Sequence, residues 1–130
     1  MFATLFVLLY VAHLLADYPG QTDHQAKHKA DCGAAGWRAS LAHAGTHLVV
    51  SGLVLLVGQI ALGLSLGLLP ATAALLWIAG SHAFIDRRWP VARWMRFARQ
   101  AGWAQHGGAA HVDQTAHITA ICIAALALAA

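Results

Sequence analysis

The sequence predicts an all-α fold, namely a four-helix transmembrane bundle with a short amphipathic interfacial helix between the third and fourth helices. Of the 130 residues, 59% are hydrophobic and only 10% are Asp, Glu, Lys or Arg, whereas soluble domains carry about 25% charged residues. Residues 39–85 include no charged residue, and such a stretch is long enough for two crossings of about 20 residues each. All eight Lys and Arg residues lie in the two stretches that flank it. This pattern excludes an ordinary soluble domain, a disordered chain and a disulfide scaffold.

Four apolar segments define one integral membrane domain over residues 1–130. The first has the length of a signal-peptide core, but it lacks a basic start and a small-residue cleavage site, so we expect it to stay in the protein as a helix. The second and third are joined by an apolar turn, after which Pro70 suits the first turn of a helix. The expected transmembrane segments are residues 2–17, 39–62, 70–86 and 109–130.

The two basic connections each contain a short helix signal. In the first, Thr22 and Gln25 have the spacing of a capping box, which predicts a surface helix that ends near Asp31. In the second, apolar residues recur at helical spacing with arginines on another face, which predicts an interfacial helix over residues 90–101. The apolar positions of that helix are Val91, Trp94, Met95, Ala98 and Ala101.

The distribution of charge predicts a topology. Both basic connections fall on one side of an up-and-down bundle, and the neutral turn falls on the other, so the positive-inside rule places both termini outside. We expect membrane lipids as partners and leave a homo-oligomer open. We expect no nucleic-acid partner, because no aromatic-rich basic region stands apart from the apolar segments.

Each apolar segment carries one pair of His or Asp residues spaced four positions apart, and residues at this spacing share a helix face. The pairs lie at the C-terminal ends of the first and third segments and at the N-terminal ends of the second and fourth. An up-and-down topology therefore brings them to the same side. The pairs are His13 with Asp17, His43 with His47, His82 with Asp86, and Asp113 with His117.

These eight residues are the candidate metal ligands. Ionisable groups inside a membrane are costly unless they face partners in the bundle interior. Mixed carboxylate and imidazole ligands favour a divalent ion, with zinc first and iron or manganese next. Eight ligands exceed the set of one catalytic zinc, so two ions are expected to use them better. The carboxylates Asp17, Asp86 and Asp113 are the candidate catalytic residues. Hydrogen bonding between His and Asp without metal is the simpler alternative.

A metal-dependent hydrolase at the cytoplasmic membrane face is the first functional hypothesis. A bound metal lowers the pKa of water and polarises an acyl or phosphoryl oxygen, and no Ser or Cys lies in a nucleophile motif. The depth of the pairs favours an amphiphilic or lipid-linked substrate. The alternatives are a metal-ion or proton transporter, a haem protein and a purely structural membrane protein. Three Asp at the level of the His residues do not suit haem ligation.

Four motifs also carry a family resemblance. The stretches HLLADYPGQTD from His13, HAGTH from His43, HAFID from His82 and DQTAH from Asp113 resemble a family of small bacterial and phage polytopic membrane proteins of unknown function. The resemblance implies a bacterial inner (cytoplasmic) membrane protein and supplies no reaction. It adds three candidate substrate-binding residues, and the Pro19-Gly20 turn departs from its pattern. The added residues are Gln21, Asp23 and Gln114.

Overall fold

In the computed structural model, which describes residues 1–130, every regular element is helical. The elements are α1 (Phe2–Asp17), α2 (Asp23–His28), α3 (Gly33–Leu62), α4 (Leu68–Ile85), α5 (Trp89–Phe97), α6 (Ala101–Trp103), a π-helical turn (Ala104–Gly108) and α7 (Ala109–Ala129). The four longest helices pack side by side. α1 and α4 each pack against both α3 and α7, so the four helices form a closed ring. The predicted all-α class is confirmed.

Three helical stretches are long and apolar enough to cross a membrane. α1 is equally apolar in character but has only 16 residues. At 1.5 Å per residue α1 is about 24 Å long, somewhat less than the hydrocarbon thickness of about 30 Å. A membrane crossing by all four helices, with both termini outside, stays a prediction. The three candidate spans are Gly33–Leu62, Leu68–Ile85 and Ala101–Ala129.

The helix boundaries differ from the sequence prediction mainly at α3. This helix begins at Gly33, six residues before the expected start of the second apolar segment. Gly33 takes a left-handed φ of 75°, a conformation that glycine adopts without steric cost, and no proline follows to interrupt the helix. At the other end Gly63, with a φ of 65°, terminates α3. The polarity of the sequence therefore predicted the start of the apolar stretch, whereas the backbone conformation of Gly33 determines the start of the helix.

Both connection helices form, but each ends earlier than the sequence predicts. α2 ends at His28 and not near Asp31, and α5 ends at Phe97 and not at residue 101, shortly before Arg99 takes a left-handed φ of 57°. The capping box at α2 is present, because the Thr22 hydroxyl accepts from the Gln25 backbone N–H at 3.2 Å and the Gln25 side chain accepts from the Thr22 N–H at 2.9 Å. On α5, Val91 and Met95 are buried against Ile85. Trp94, expected on the same face, is instead 57% exposed. The reason is that only the narrow stripe formed by residues four apart reaches the bundle.

The interior of the ring divides into two halves. The half next to the turn between α3 and α4 is a core of nine buried apolar residues and contains no ionisable side chain. The half next to the basic connections contains buried histidines and carboxylates. The nine residues, which we call the apolar core, are Leu5, Leu9, Leu55, Ala74, Ile78, Ile121, Ala124, Ala125 and Leu128.

Candidate metal centre

The polar half of the interior contains all eight residues of the four His/Asp pairs, which we call the His/Asp cluster. The helix ends explain this arrangement, since the C-terminal ends of α1 and α4 lie beside the N-terminal ends of α3 and α7. The five histidines of the cluster are each at most 3% exposed, and Asp86 is 4% exposed. The spacing of four residues turns both members of each pair to the same interior face. The structure shows that the eight residues meet, and their roles as ligands or catalysts stay predictions.

Asp17 lies at the centre of the larger part of the cluster. Its Oδ1 atom is 3.1 Å from Nε2 of His43, 3.1 Å from Nε2 of His47 and 3.5 Å from Nε2 of His82. Its Oδ2 atom is 3.2 Å from Nε2 of His13. One carboxylate therefore faces four imidazole nitrogens that come from three different helices.

Asp86 links this group to α7. Its Oδ2 atom lies 3.1 Å from Nε2 of His82 and 3.6 Å from Nε2 of His43, and its Oδ1 atom lies 4.0 Å from Nε2 of His117. The other ring nitrogen of His117 is 3.5 Å from Oδ2 of Asp113. All four long helices thus contribute to one continuous network.

The imidazole rings are packed against one another. The rings of His47 and His82 stack with their centres 3.5 Å apart, and those of His82 and His117 stack at 4.2 Å. The ring of His13 lies between 5.2 and 5.6 Å from those of His47, His82 and His117. A planar macrocycle such as haem does not fit between histidines at these distances.

The donor set fits a small divalent cation. The ligand atoms fall into three overlapping groups, and within each group they lie within 4.8 Å of one another. Zinc bonds to nitrogen or oxygen of about 2.0–2.2 Å imply neighbouring tetrahedral ligands about 3.3–3.6 Å apart, close to the spacings around Asp17. The groups are His13, Asp17, His47 and His82; His43, His82 and Asp86; and Asp86, Asp113 and His117.

Several buried polar atoms of the cluster lack a hydrogen-bond partner. They include Nδ1 of His47, Nε2 of His82 and both ring nitrogens of His117. The short contact between His82 and Asp86 lacks the angles of a hydrogen bond. A void of about 10 Å³ lies beside His13, His82 and His117. Buried polar atoms almost always have a partner in folded proteins. A bound cation would take up one nitrogen each of rings such as His82 and His117, and the remaining ring nitrogens would still need a donor or acceptor of their own.

The three residues added by the family resemblance take different positions. Gln21 lies against the cluster, with its side-chain nitrogen 2.8 Å from Nε2 of His43. Gln114 also reaches the cluster, with its side-chain oxygen 3.4 Å from Nε2 of His13. Asp23 is exposed in the first turn of α2 and makes no hydrogen bond or ion pair with the cluster. The structure therefore brings together two of these three residues and leaves Asp23 at the surface.

Two basic residues beside the cluster were missed as site residues. Lys29 places its Nζ atom 3.0 Å from Oδ2 of Asp86. Arg87 donates to the backbone carbonyls of Lys29, at 2.8 Å, and of Asp31, and its guanidinium lies 4.6 Å from the ring centre of Trp37. These contacts fix the end of α2 over the cluster. The adjacency of Arg87 to Asp86 was the one available signal, because the other partners lie far away in the sequence.

A groove connects the cluster with the surface on the side of the basic connections. It has a volume of about 830 Å³ and lies between α2, α5 and the start of α7. Four polar residues next to or within the cluster line its inner wall: Gln21, Lys29, Asp86 and Asp113. A ligand of moderate size can therefore reach the carboxylates from this side, whereas the apolar core closes the other half of the bundle.

Comparison with known families agrees with the motif resemblance. The family model described as "Protein of unknown function (DUF3307)" matches residues 5–130. The chain belongs to the DUF3307 family. The expected resemblance to a family of unknown function is confirmed at this level, and the match includes the whole His/Asp cluster. No curated protein and no solved structure matches the chain. Membership in DUF3307 brings no reaction with it, so the function has to be inferred from the cluster itself.

Proposed function

We propose that this DUF3307 protein is a multi-pass membrane metalloprotein that hydrolyses an amphiphilic or lipid-linked substrate at the cytoplasmic face of the bacterial inner membrane. One observation carries the proposal. Five buried histidines and three aspartates, contributed by four helices, place their ligand atoms in overlapping groups within 4.8 Å. Such a concentration of ionisable groups in an apolar bundle is costly unless the groups share a partner.

A divalent metal is a better partner than hydrogen bonds within the cluster alone. Hydrogen bonding accounts for the contacts of Asp17 with His43 and His47, but it leaves both ring nitrogens of His117 without a partner. No Cys or Met belongs to the ligand groups, so the donors are imidazoles and carboxylates. These donors favour zinc first and iron or manganese next.

The three carboxylates differ in what they can do. A bound divalent ion would polarise a scissile bond and lower the pKa of a water molecule. Asp17, enclosed by imidazoles, and Asp86, buried beside His82, serve to hold the ion. Asp113 has a side chain that is 25% exposed, has only a 3.5 Å contact with His117 and lines the groove. Asp113 is therefore placed to accept a proton from the attacking water.

The apolar core argues against the transporter alternative. A permeation path needs polar groups along the bundle, and transporters usually bind their substrates near the membrane midplane. Here the half of the interior that lies opposite the cluster is filled by Leu, Ile and Ala side chains. Haem is disfavoured by the close ring packing, and a purely structural role leaves the buried polar atoms unexplained.

The metal content of purified protein tests this proposal. We expect at least one equivalent of zinc, iron or manganese per chain in wild type, measured by inductively coupled plasma mass spectrometry after purification without chelator. His47→Ala should lose most of it. His24→Ala removes an exposed imidazole outside the cluster and should retain it. Acidification should release the metal, because protonated imidazoles cannot ligate.

Two results would contradict the proposal. Sub-stoichiometric metal in both wild type and His47→Ala would favour a hydrogen-bonded His/Asp network without an ion. Metal that stays bound in both His47→Ala and Asp86→Ala, which together affect all three ligand groups, would place the ion elsewhere in the protein. The His24→Ala protein separates a specific loss from a general effect of removing a histidine.

A further inference from the structure

We propose that the groove beside the His/Asp cluster binds a phosphate ester that carries an apolar chain, with the phosphate held by Arg88 and Arg96. This inference deepens the proposed function, on which it rests, by naming the chemical class of the substrate.

The lining of the groove is suited to an amphiphile. Nine of the fifteen residues that line it are hydrophobic. Val91 and Met95 of α5 form part of one wall, and alanines from α6 and α7 line another. Its volume of about 830 Å³ lies within the range of about 300–1,000 Å³ that small-molecule sites usually have. A soluble ion alone would leave most of this apolar surface uncovered.

The charges of the groove favour an anion. Lys29, Arg88 and Arg96 are its basic residues, and its only acidic residues are Asp86 and Asp113 of the cluster. Lys29 is paired with Asp86. Arg88 and Arg96 are exposed and form no ion pair or side-chain hydrogen bond within the chain. The planar fork of arginine matches the oxygens of a phosphate, so two unpaired arginines that line the same groove as Asp86 and Asp113 suit a phosphate group.

The position of α5 favours a ligand that comes from the membrane. Trp89, Trp94 and Phe97 are each at least half exposed, although the helix also carries two arginines and a third precedes it. Aromatic and basic residues together on one short helix are typical of the membrane interface. The groove beneath α5 therefore opens at the level of lipid head groups.

The chemistry of the proposed centre suits this substrate. Hydrolysis of a phosphate ester forms a P–O bond to the water oxygen and breaks the P–O bond to the leaving alcohol. The proton lost by the water passes to Asp113 and then to the leaving alcohol. No other reactant is required. The arginines would neutralise the phosphate charge and hold the phosphorus near the carboxylate that accepts the proton.

Native mass spectrometry of the detergent-solubilised protein tests the inference without requiring turnover. The probes are dioctanoyl phosphatidic acid, dioctanoyl phosphatidylcholine and inorganic phosphate. Wild type should bind phosphatidic acid about tenfold or more tightly than either of the others. Arg88→Gln and Arg96→Gln should each lower that affinity about tenfold, as expected for loss of a charge-assisted hydrogen bond.

The chain offers a matched control for each arginine. Arg99 shares with Arg88 a positive φ, 57° against 61°, and Arg93 lies on the same helix as Arg96. Neither Arg93 nor Arg99 lines the groove, so Arg93→Gln and Arg99→Gln should bind phosphatidic acid like wild type. Equal losses in all four variants would overturn the inference, since general surface charge would then explain the binding. Equal affinity for inorganic phosphate or for phosphatidylcholine would also overturn it.

The metal content of the same samples distinguishes the two proposals. If the metal is retained but phosphatidic acid shows no preference, the groove inference fails and the metal centre stands. If no metal is bound but the arginine-dependent preference persists, the proposed metalloenzyme fails and the groove remains a site for anionic lipid.

Discussion

The two halves of the bundle interior are made by the same four helices but have opposite chemistry. In the apolar core, Leu5 and Leu9 of α1 pack among other aliphatic side chains. About one turn further along the same helix, His13 and Asp17 belong to a cluster of ionisable groups. The helix face is the same in both halves, because His13 follows Leu9 by four residues and Leu9 follows Leu5 by four. Along this interior face of α1, only the type of side chain changes, from aliphatic at Leu5 and Leu9 to ionisable at His13 and Asp17.

This difference separates what holds the bundle together from what the bundle does. Aliphatic packing needs no particular partner and tolerates changes that preserve volume. A buried imidazole or carboxylate must be satisfied by specific neighbours. The apolar core can therefore stabilise the helix ring while the other half keeps buried polar atoms without a hydrogen-bond partner, such as Nδ1 of His47.

The largest expected difference is in the maleimide labelling of the two cysteines. Cys32 is exposed at the start of α3 on the cluster side, and Cys122 is half-buried within α7. If the basic connections are cytoplasmic, a membrane-impermeant maleimide should label Cys32 in inverted vesicles and not in intact cells, and should label Cys122 in neither. Labelling would be read by gel shift, with Cys32→Ser and Cys122→Ser identifying the bands. Labelling of Cys32 from outside intact cells would show that the predicted topology is wrong and that the basic connections face the outside.

The next largest effect is expected for Asp17→Asn compared with Leu9→Ala on the same helix. Asp17→Asn preserves shape but removes the carboxylate that faces four histidines, so metal affinity should fall about 100-fold or more, exceeding the usual effect of losing an outer partner. Leu9→Ala should preserve metal content. It should lower the free energy of unfolding by about 2 kcal/mol, near the low end for core truncations, because lipid is as apolar as Leu.

Metal titrations and denaturation curves of these two variants measure both quantities. Loss of metal in Leu9→Ala would show that the two halves are coupled and not separable. A stability loss without any metal loss in Asp17→Asn would show that the carboxylate serves folding alone.

A smaller effect, on turnover more than on metal binding, is expected for Gln21→Ala. Its amide contacts His43 and lines the groove, so we expect turnover of a phosphate ester to fall about tenfold, the lower range for groups that orient metal ligands. Metal content should change less than turnover. Gln25→Ala is the control, because Gln25 is the same residue type but only caps α2. Equal losses of turnover in both variants would assign the effect to the position of α2.

The smallest effect is expected for Lys29→Met, which should increase metal affinity and not decrease it. The ammonium of Lys29 competes with a cation for Oδ2 of Asp86, which lies 3.0 Å away. Removal of the lysine should raise metal affinity by up to about fivefold, in line with the free energy of a modest ion pair. Lys27→Met, at an exposed residue without an ion pair, should leave the affinity unchanged. A decrease in affinity for Lys29→Met would mean that the lysine supports the centre.

Local sequence patterns predicted more of the cluster than of its surroundings. The pairs at spacing four fixed which face of each helix is polar, and the alternation of helix ends brought His13, His43, His82 and His117 to one level. Chain direction and helical period determine both features. Conversely, the contact of Lys29 with Asp86 joins residues far apart in sequence, and no periodicity predicts it. The groove also depends on how α2 and α5 lie across the bundle, which only three-dimensional packing shows.

Boundary errors have a similar physical origin. Hydropathy located the apolar stretch from residue 39, but a helix continues for as long as its backbone hydrogen bonds do, and α3 begins at Gly33. The apolar periodicity of α5 was recognised, yet the bundle covers only the stripe of Val91 and Met95 and leaves Trp94 exposed. The residue types on a helix face show which side chains can be buried, and the packing of the neighbouring helices determines how many of them are buried.

The sharing of His82 between two ligand groups limits how many ions the cluster can hold. Its Nε2 atom can be donated to one metal at a time, so the group centred on Asp17 and the group of His43, His82 and Asp86 are mutually exclusive. The group around Asp17 shares no residue with the group of Asp86, Asp113 and His117, but a second ion in the latter group would occupy Asp113, the carboxylate proposed as the proton acceptor. If the cluster binds metal, these shared residues set an upper limit of two ions.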